Sequence, residues 1–163
     1  MNRIAVIGAG GWGTALAQLM VAKGRTVLLW GFEKPLVEEL RITRENRFLP
    51  GIRLDERVHV TADMSEAVHG AELVLVVPPS KGMRGVARML AETGVRVPLV
   101  SFTKGIEQGS GLRMSEILHE ALPANPIAVL SGPSHAETPN GASAALRSRF
   151  QLQPEVEPQP SQT

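Results

Sequence analysis

The chain has 163 residues, 43% of them hydrophobic, with 17 basic side chains against 16 acidic ones and no cysteine. That suffices for one ordinary domain with a buried core, and it excludes disulfides, thiolate catalysis and cysteine-held zinc. A net charge of +1 without any basic run leaves no electrostatic footprint for nucleic acid or a membrane surface. The opening Met1-Asn2-Arg3 runs into an apolar stretch that glycine soon interrupts, too brief for a signal peptide. No stretch approaches the roughly 18 apolar residues of a membrane helix. The expectation is a soluble, cytoplasmic protein with neither nucleic-acid nor membrane partners.

Short β-branched runs alternate with helical patterns along the chain. Arg3–Ile7 reads as a strand, followed by a glycine-rich turn. A helix over Thr14–Lys23 then puts Leu16, Leu19 and Met20 on one face and stops at Gly24. Thr26–Trp30 is the second strand, and Pro35 suits the first turn of a helix reaching about Thr43. Val58–Val60 is a weaker strand, and Asp63 with Glu66 predicts a capping box for a short helix ended by Gly70. Strand Leu73–Val77, helix Met83–Glu92, strand Leu99–Phe102, helix Arg113–Leu122 and strand Ile127–Leu130 follow, with breakers at Gly94 and Pro123. Most strands are continuously apolar, as strands covered on both faces must be. The expected fold is α/β, a Rossmann-type doubly wound parallel sheet with helices on both faces, over residues 1–137. Thr138–Thr163 offers one helical turn around Ala144–Phe150. The last thirteen residues hold four glutamines and three prolines. Such a segment buries too little apolar surface to offset its ordering entropy, so 138–163 is expected to be a disordered or non-homologous tail.

The turn after the first strand, Gly8-Ala9-Gly10-Gly11-Trp12-Gly13, is G-x-G-x-x-G between a strand and a helix. Gly8 permits the tight turn, Gly10 lets the backbone approach a pyrophosphate, and Gly13 lets helix and strand pack closely. The helix start offers N–H groups and a positive dipole end to phosphates. Glu33, just past the second strand, can accept hydrogen bonds from ribose hydroxyls and repel a 2′-phosphate, which predicts NAD over NADP. Trp12 is either core or a cover for the cofactor. The loop alone leaves a flavin nucleotide open.

Ligands of open α/β sheets bind outside the carboxyl ends of the strands. Pro78-Pro79-Ser80, Thr103-Lys104-Gly105 and Ser131-Gly132-Pro133-Ser134-His135 leave strands at that end. Pro78 is counted with the cofactor-binding residues. Lys104 could face an anionic or carbonyl-bearing substrate, although a lysine taken at random is a solvated loop residue. Gly132 and Ser134 could offer an N–H and a hydroxyl to the same ligand. His59, His69 and His119 have no metal-ligand spacing and read as surface or cap residues, so no metal is expected. His135 reads as support for its own loop.

Taken together, GAGGWGTALA at Gly8–Ala17, ENRFLPG at Glu45–Gly51, VVPPS at Val76–Ser80, SFTKGIE at Ser101–Glu107 and LSGPSHAE at Leu130–Glu137 resemble bacterial NAD(P)-dependent glycerol-3-phosphate dehydrogenase. The resemblance covers Met1 to about Glu137 and sets the chain apart from flavoproteins. It implies cofactor contacts from Gly11, Trp12, Phe32, Glu33, Phe48, Lys104 and Ala136. It further implies substrate contacts from Lys104, Gly132 and Ser134. The implied reaction interconverts sn-glycerol 3-phosphate and dihydroxyacetone phosphate and feeds phospholipid synthesis. Family members often carry a basic residue where this chain has Glu33, which keeps NADP possible. In the family the base lysine lies in a further helical domain, and nothing in Thr138–Thr163 resembles it. No catalytic residue is therefore assigned, and the 163 residues alone are expected to be inactive. Two other readings are a non-catalytic dinucleotide-binding module and another phosphosugar or hydroxy-acid dehydrogenase; the Ser131–His135 loop argues against the latter. A homo-oligomer is left open.

Overall fold

The computed structural model describes residues 2–131 and the backbone of 151–153. Among the described residues, seven strands form one sheet: β1 (Arg3–Ile7), β2 (Thr26–Trp30), β3 (Val58–Thr61), β4 (Leu73–Val76), β5 (Leu99–Ser101), β6 (Ile127–Ser131) and β7 (Gln151–Gln153). Their spatial order is β3-β2-β1-β4-β5-β6-β7, with every pairing parallel except that of β6 with β7. The helices are α1 (Gly11–Ala22), α2 (Lys34–Thr43), α3 (Met64–Val68), α4 (Met83–Glu92) and α5 (Met114–Ala121), with a 3-10 turn at Ser80–Gly82. The parallel order 3-2-1-4-5-6 is that of the Rossmann fold, as the alternation of strands and helices predicts.

The continuous apolar strands feed two cores. In β1, Ala5 and Ile7 point to one face and meet Met64, Ala67, Met83, Leu90, Ile117 and Leu118 of α3, α4 and α5. Their neighbours Ile4 and Val6 point to the other face, with Leu16, Val21, Leu36, Val37 and Leu40 of α1 and α2. Each fully buried Leu, Ile or Val contributes about 1.5–3 kcal/mol, so neither face can be stripped without unfolding the sheet. Because the chain crosses to opposite faces on leaving β1 and β4, these adjacent strands open a crevice at their carboxyl ends.

Three expectations are corrected. Helix α1 begins at Gly11, not Thr14, because Gly10 takes the extended N-cap geometry and the Thr14 N–H already bonds its carbonyl at 3.0 Å. At α3, Asp63 does accept the Glu66 N–H, but the Glu66 carboxylate goes to the Thr61 hydroxyl, which itself receives the Asp63 N–H; the box is half formed. The tail expected to be disordered or non-homologous includes β7, which pairs antiparallel with Val129–Ser131. A bare edge strand is a template for pairing, and three residues suffice to use it. The helical turn expected at Ala144–Phe150 lies outside the described residues. Among those described, no helix is long and apolar enough to cross a membrane.

Candidate functional site

At the carboxyl ends of β1, β2, β4 and β5 lies an open cleft of about 940 Å³. Its floor is the glycine loop. Gly8 has φ +127°, a region that side chains rarely adopt, and an added Cβ would lie 2.7 Å from the Val77 carbonyl. The loop is stitched to the strands on either side, since Gly8 N–H donates to Trp30 O at 2.9 Å and Val77 N–H to Ile7 O at 2.8 Å. A Cβ on Gly13 would overlap the Gly8 carbonyl, and one on Gly11 the Phe48 carbonyl. Gly10 differs: its Cβ would meet nothing within 4 Å, and the residue is exposed to the cleft. Three glycines thus serve backbone packing, and the fourth keeps its face open for a ligand. No side chain caps α1, which leaves its first-turn N–H groups directed at that space.

One wall carries Phe32, Glu33, Leu36 and Phe48; Trp12 also lines the cleft while packing against the α1/α2 core. Phe32 is 73% exposed and Phe48 52%, a pair of large rings held open to solvent at one end of the cleft. Phe32 stands edge-on to Trp30, with ring centroids 6.2 Å apart. Glu33 is the N-cap of α2 and faces Arg47 at 3.3 Å.

The position of Phe48 depends on Asn46, which sequence reading passed over. Asn46 is 2% exposed. Its amide donates to Ala9 O at 2.9 Å and to the Thr14 hydroxyl at 2.6 Å, and its Oδ1 accepts the Phe48 N–H at 2.9 Å. One side chain therefore ties the 46–48 turn to the glycine loop and to α1. Arg44, the αL C-cap of α2 with φ +58°, holds the other half of this loop. Its buried guanidinium donates to Asp55 O and, at 2.9 Å, to Val58 O. Asn46 stands in the sequence only as part of the ENRFLPG segment, and its partners, up to 37 residues away, are not legible from it.

The opposite wall is Val77, Pro78, Pro79, Ser80, Thr103 and Lys104. Thr103 Oγ1 donates to Pro78 O at 2.7 Å, joining two of the loops expected to meet here. Lys104 is exposed at the rim. Its loop is braced from behind: Glu107 takes a forked pair of bonds from Arg84 on α4 at 2.8 and 2.7 Å, and a third from the Ser110 hydroxyl at 2.6 Å. Arg84 reaches on to Glu120 of α5 at 2.9 Å. These donors, Arg84 first and Ser110 second, hold the Glu107 carboxyl down at about 2. His59, His69 and His119 are all exposed and away from the cleft. Gly132, Ser134, His135 and Ala136 lie outside the described residues. Of the remaining predicted residues, the structure brings Gly8, Gly10, Gly11, Trp12, Gly13, Phe32, Glu33, Phe48, Pro78 and Lys104 to one cleft.

Sheet order, glycine loop and switch-point cleft define a Rossmann-type dinucleotide-binding domain. The family model described as "NAD-dependent glycerol-3-phosphate dehydrogenase N-terminus" matches residues 3–145, running past the boundary read near Glu137. The chain belongs to that family. It is 49% identical to glycerol-3-phosphate dehydrogenase [NAD(P)+] of Rhodospirillum rubrum over 90% of this chain and 43% of that protein. It is 45% identical to the enzyme of the same name from Latilactobacillus sakei, over 82% and 42%. Among solved structures, glycerol-3-phosphate dehydrogenase from Coxiella burnetii superposes with a TM-score of 0.77 at 34% identity, covering 83% of this chain and 42% of that one. The chain thus spans less than half the length of the curated relatives it matches.

Proposed function

We propose that this chain holds the nicotinamide cofactor, and one side of the substrate, in an oxidoreductase interconverting sn-glycerol 3-phosphate and dihydroxyacetone phosphate. The observation that carries the reading is the single cleft into which the glycine loop, Glu33, the two open phenylalanines and the Lys104 loop all converge. The names of the relatives supply the substrate. When bound, NAD or NADP accepts or donates a hydride at the nicotinamide ring. The protein's own part begins at the α1 N-terminus, whose N–H groups and dipole receive the pyrophosphate past the bare face of Gly10. Phe32 and Phe48 offer flat apolar surface to the adenine, and Glu33 accepts from the adenosine ribose. Pro78 carries no N–H that would compete for the ligand, and its carbonyl is already taken by Thr103. Lys104 is the described residue assigned to the phosphorylated substrate; the resemblance adds Gly132 and Ser134 for the substrate and Ala136 for the cofactor, all outside the described residues. Cytoplasmic glycerophospholipid synthesis is the setting this reading implies.

The test is binding. Trp12 lines the cleft, so NADH titrated into the purified chain should change its tryptophan emission saturably. Lys104→Ala should weaken binding about tenfold while leaving the melting temperature within a degree or two, since an exposed loop lysine carries little packing. No saturable signal at ~1 mM nucleotide, the weak end of specific affinity, would overturn the reading.

A further inference from the structure

Lys81 lines the cleft and has no part in the contacts assigned above. It stands in the 3-10 turn Ser80–Gly82, between β4 and α4. The Gly82 N–H closes that turn by donating to Pro79 O at 2.9 Å. The Lys104 loop packs against it: a Cβ added to Gly105 would lie 3.9 Å from the Ser80 Cβ, and Thr103 Oγ1 donates to Pro78 O at 2.7 Å. Lys81 and Lys104 therefore stand on one wall, on neighbouring turns, both exposed, and Ser80 adds a hydroxyl to the same wall. A Cβ on Gly82 or Gly85 would meet nothing within 4 Å, so the space beside Lys81 is unfilled. The charge of this wall is one-sided. Among the described residues the cleft has one carboxylate, Glu33, on the opposite wall and beside Arg47. Arg84, which follows the turn, is held by Glu107 and Glu120, and Lys81 pairs with no carboxylate among the described residues.

We propose, resting on the substrate reading above, that Lys81 is a second cation for the phosphate end of the substrate and acts with Lys104 on a phosphomonoester dianion. Two kinds of phosphate enter the cleft on that reading, and their charge decides between them. A phosphomonoester carries about −1.5 to −2 at pH 7, because its second ionisation falls at about pH 6. The phosphates of a dinucleotide's pyrophosphate ionise once each, and the α1 terminus on the cleft floor already receives them. Two lysines on one wall match the dianion. A lysine brings a compact charge on a flexible stem rather than a fixed fork, so Lys81 contributes attraction more than orientation. With no carboxylate to leave, it gives up no ion pair in turning to the ligand.

The test is a set of dissociation constants for NADH, and for dihydroxyacetone phosphate on the NADH-saturated chain, in wild type, Lys81→Ala, Lys81→Arg, Lys104→Ala and Lys23→Ala. Lys81→Ala should bind dihydroxyacetone phosphate about fivefold or more weakly, the loss of one charge-assisted contact, and NADH within about twofold of wild type. Lys81→Arg, which keeps the charge, should restore most of that loss. Lys104→Ala should weaken both ligands. Lys23→Ala removes an exposed cation at the far end of α1 and should change neither. Melting temperatures should stay level, because Lys81 is exposed. If Lys81→Ala binds dihydroxyacetone phosphate as wild type does, Lys81 is a solvated lysine and the proposal fails. If Lys81→Ala weakens NADH as much as dihydroxyacetone phosphate, the lysine serves the pyrophosphate; if Lys23→Ala matches it, the effect is one of general charge. Either result overturns the proposal. Wild type that binds NADH but not dihydroxyacetone phosphate defeats the proposal and leaves the cofactor reading standing. Wild type that binds neither defeats the cofactor reading as well.

Discussion

At the scale of single residues, the glycine loop separates two kinds of requirement that one motif conflates. Gly10→Ala adds a methyl group to open space, so the fold should stand while nucleotide affinity falls at least tenfold, because the methyl occupies the approach to the pyrophosphate. Gly13→Ala drives a Cβ into the Gly8 carbonyl and should destabilise the chain by about 3 kcal/mol or more. Thermal melts with and without NADH distinguish the two. A Gly10→Ala variant that melts like Gly13→Ala would show that both positions are structural. Asn46 is the residue-scale lesson in legibility. The glycines, Glu33 and Lys104 can be placed from spacing alone, since each follows a strand end within a few residues, whereas Phe32 enters only through the family resemblance. Asn46 works through Ala9 and Thr14, contacts that exist only after α2 and the following loop have folded back over α1. Asn46→Ala strands a carbonyl, a hydroxyl and an N–H at once and should cost about 3 kcal/mol in a urea melt. Retained stability would mean that water reaches the site and replaces the amide.

At the scale of elements, existence and type were legible for the parallel strands and their helices, while β7, the helix ends and the side-chain bracing were not. Five of the six parallel strands follow from apolar runs, because burial on both faces leaves no polar alternation to confuse the pattern, and the weaker signal at β3 reflects an edge strand interrupted by the exposed His59. The start of α1 was missed because glycine signals a turn, and only the Thr14 N–H bond to Gly10 reveals that the helix has begun. The Arg84–Glu107–Ser110 brace was invisible for a related reason: its members sit on α4 and the loop after β5, 23 residues apart. That brace has a pH signature. The folded-state pKa of Glu107 is about 2, below that of an unfolded glutamate, so its contribution to stability is fully present at neutral pH. It is lost as pH falls from the ordinary glutamate range toward about 2. Glu107→Gln should therefore be less stable than wild type at pH 7 and should narrow that gap on acidification. A constant difference across pH 7 to 3 would show that the carboxylate charge is not what holds the Lys104 loop.

For the whole molecule, cofactor capture and chemistry make different demands, and the described residues meet the first more fully. Under the proposed reading, nucleotide binding needs the switch-point cleft, the α1 terminus and the wall of Phe32, Glu33 and Phe48, which meet at one cleft. Saturating NADH, at about 100 times its dissociation constant, should raise stability by about 2.7 kcal/mol through mass action. Oxidation at C2 of glycerol 3-phosphate needs in addition a base within hydrogen-bond reach of the hydroxyl and a wall that excludes water from the hydride path. Among the described residues, the cleft's ionisable side chains are Glu33, Lys81 and Lys104. Glu33 is on the wall proposed for adenosine, and the two lysines are exposed. Loss of general base catalysis alone costs about 10²–10⁴-fold in rate, and an unwalled substrate loses positioning on top of that. The expected outcome for these 163 residues, purified as such, is a clear NADH-dependent rise in melting temperature. Consumption of NADH with dihydroxyacetone phosphate should not exceed background. The control for contaminating host enzyme is Gly10→Ala, prepared identically. Turnover that follows the wild-type protein through purification and disappears in Gly10→Ala would refute the prediction, and would place a base within this stretch of chain.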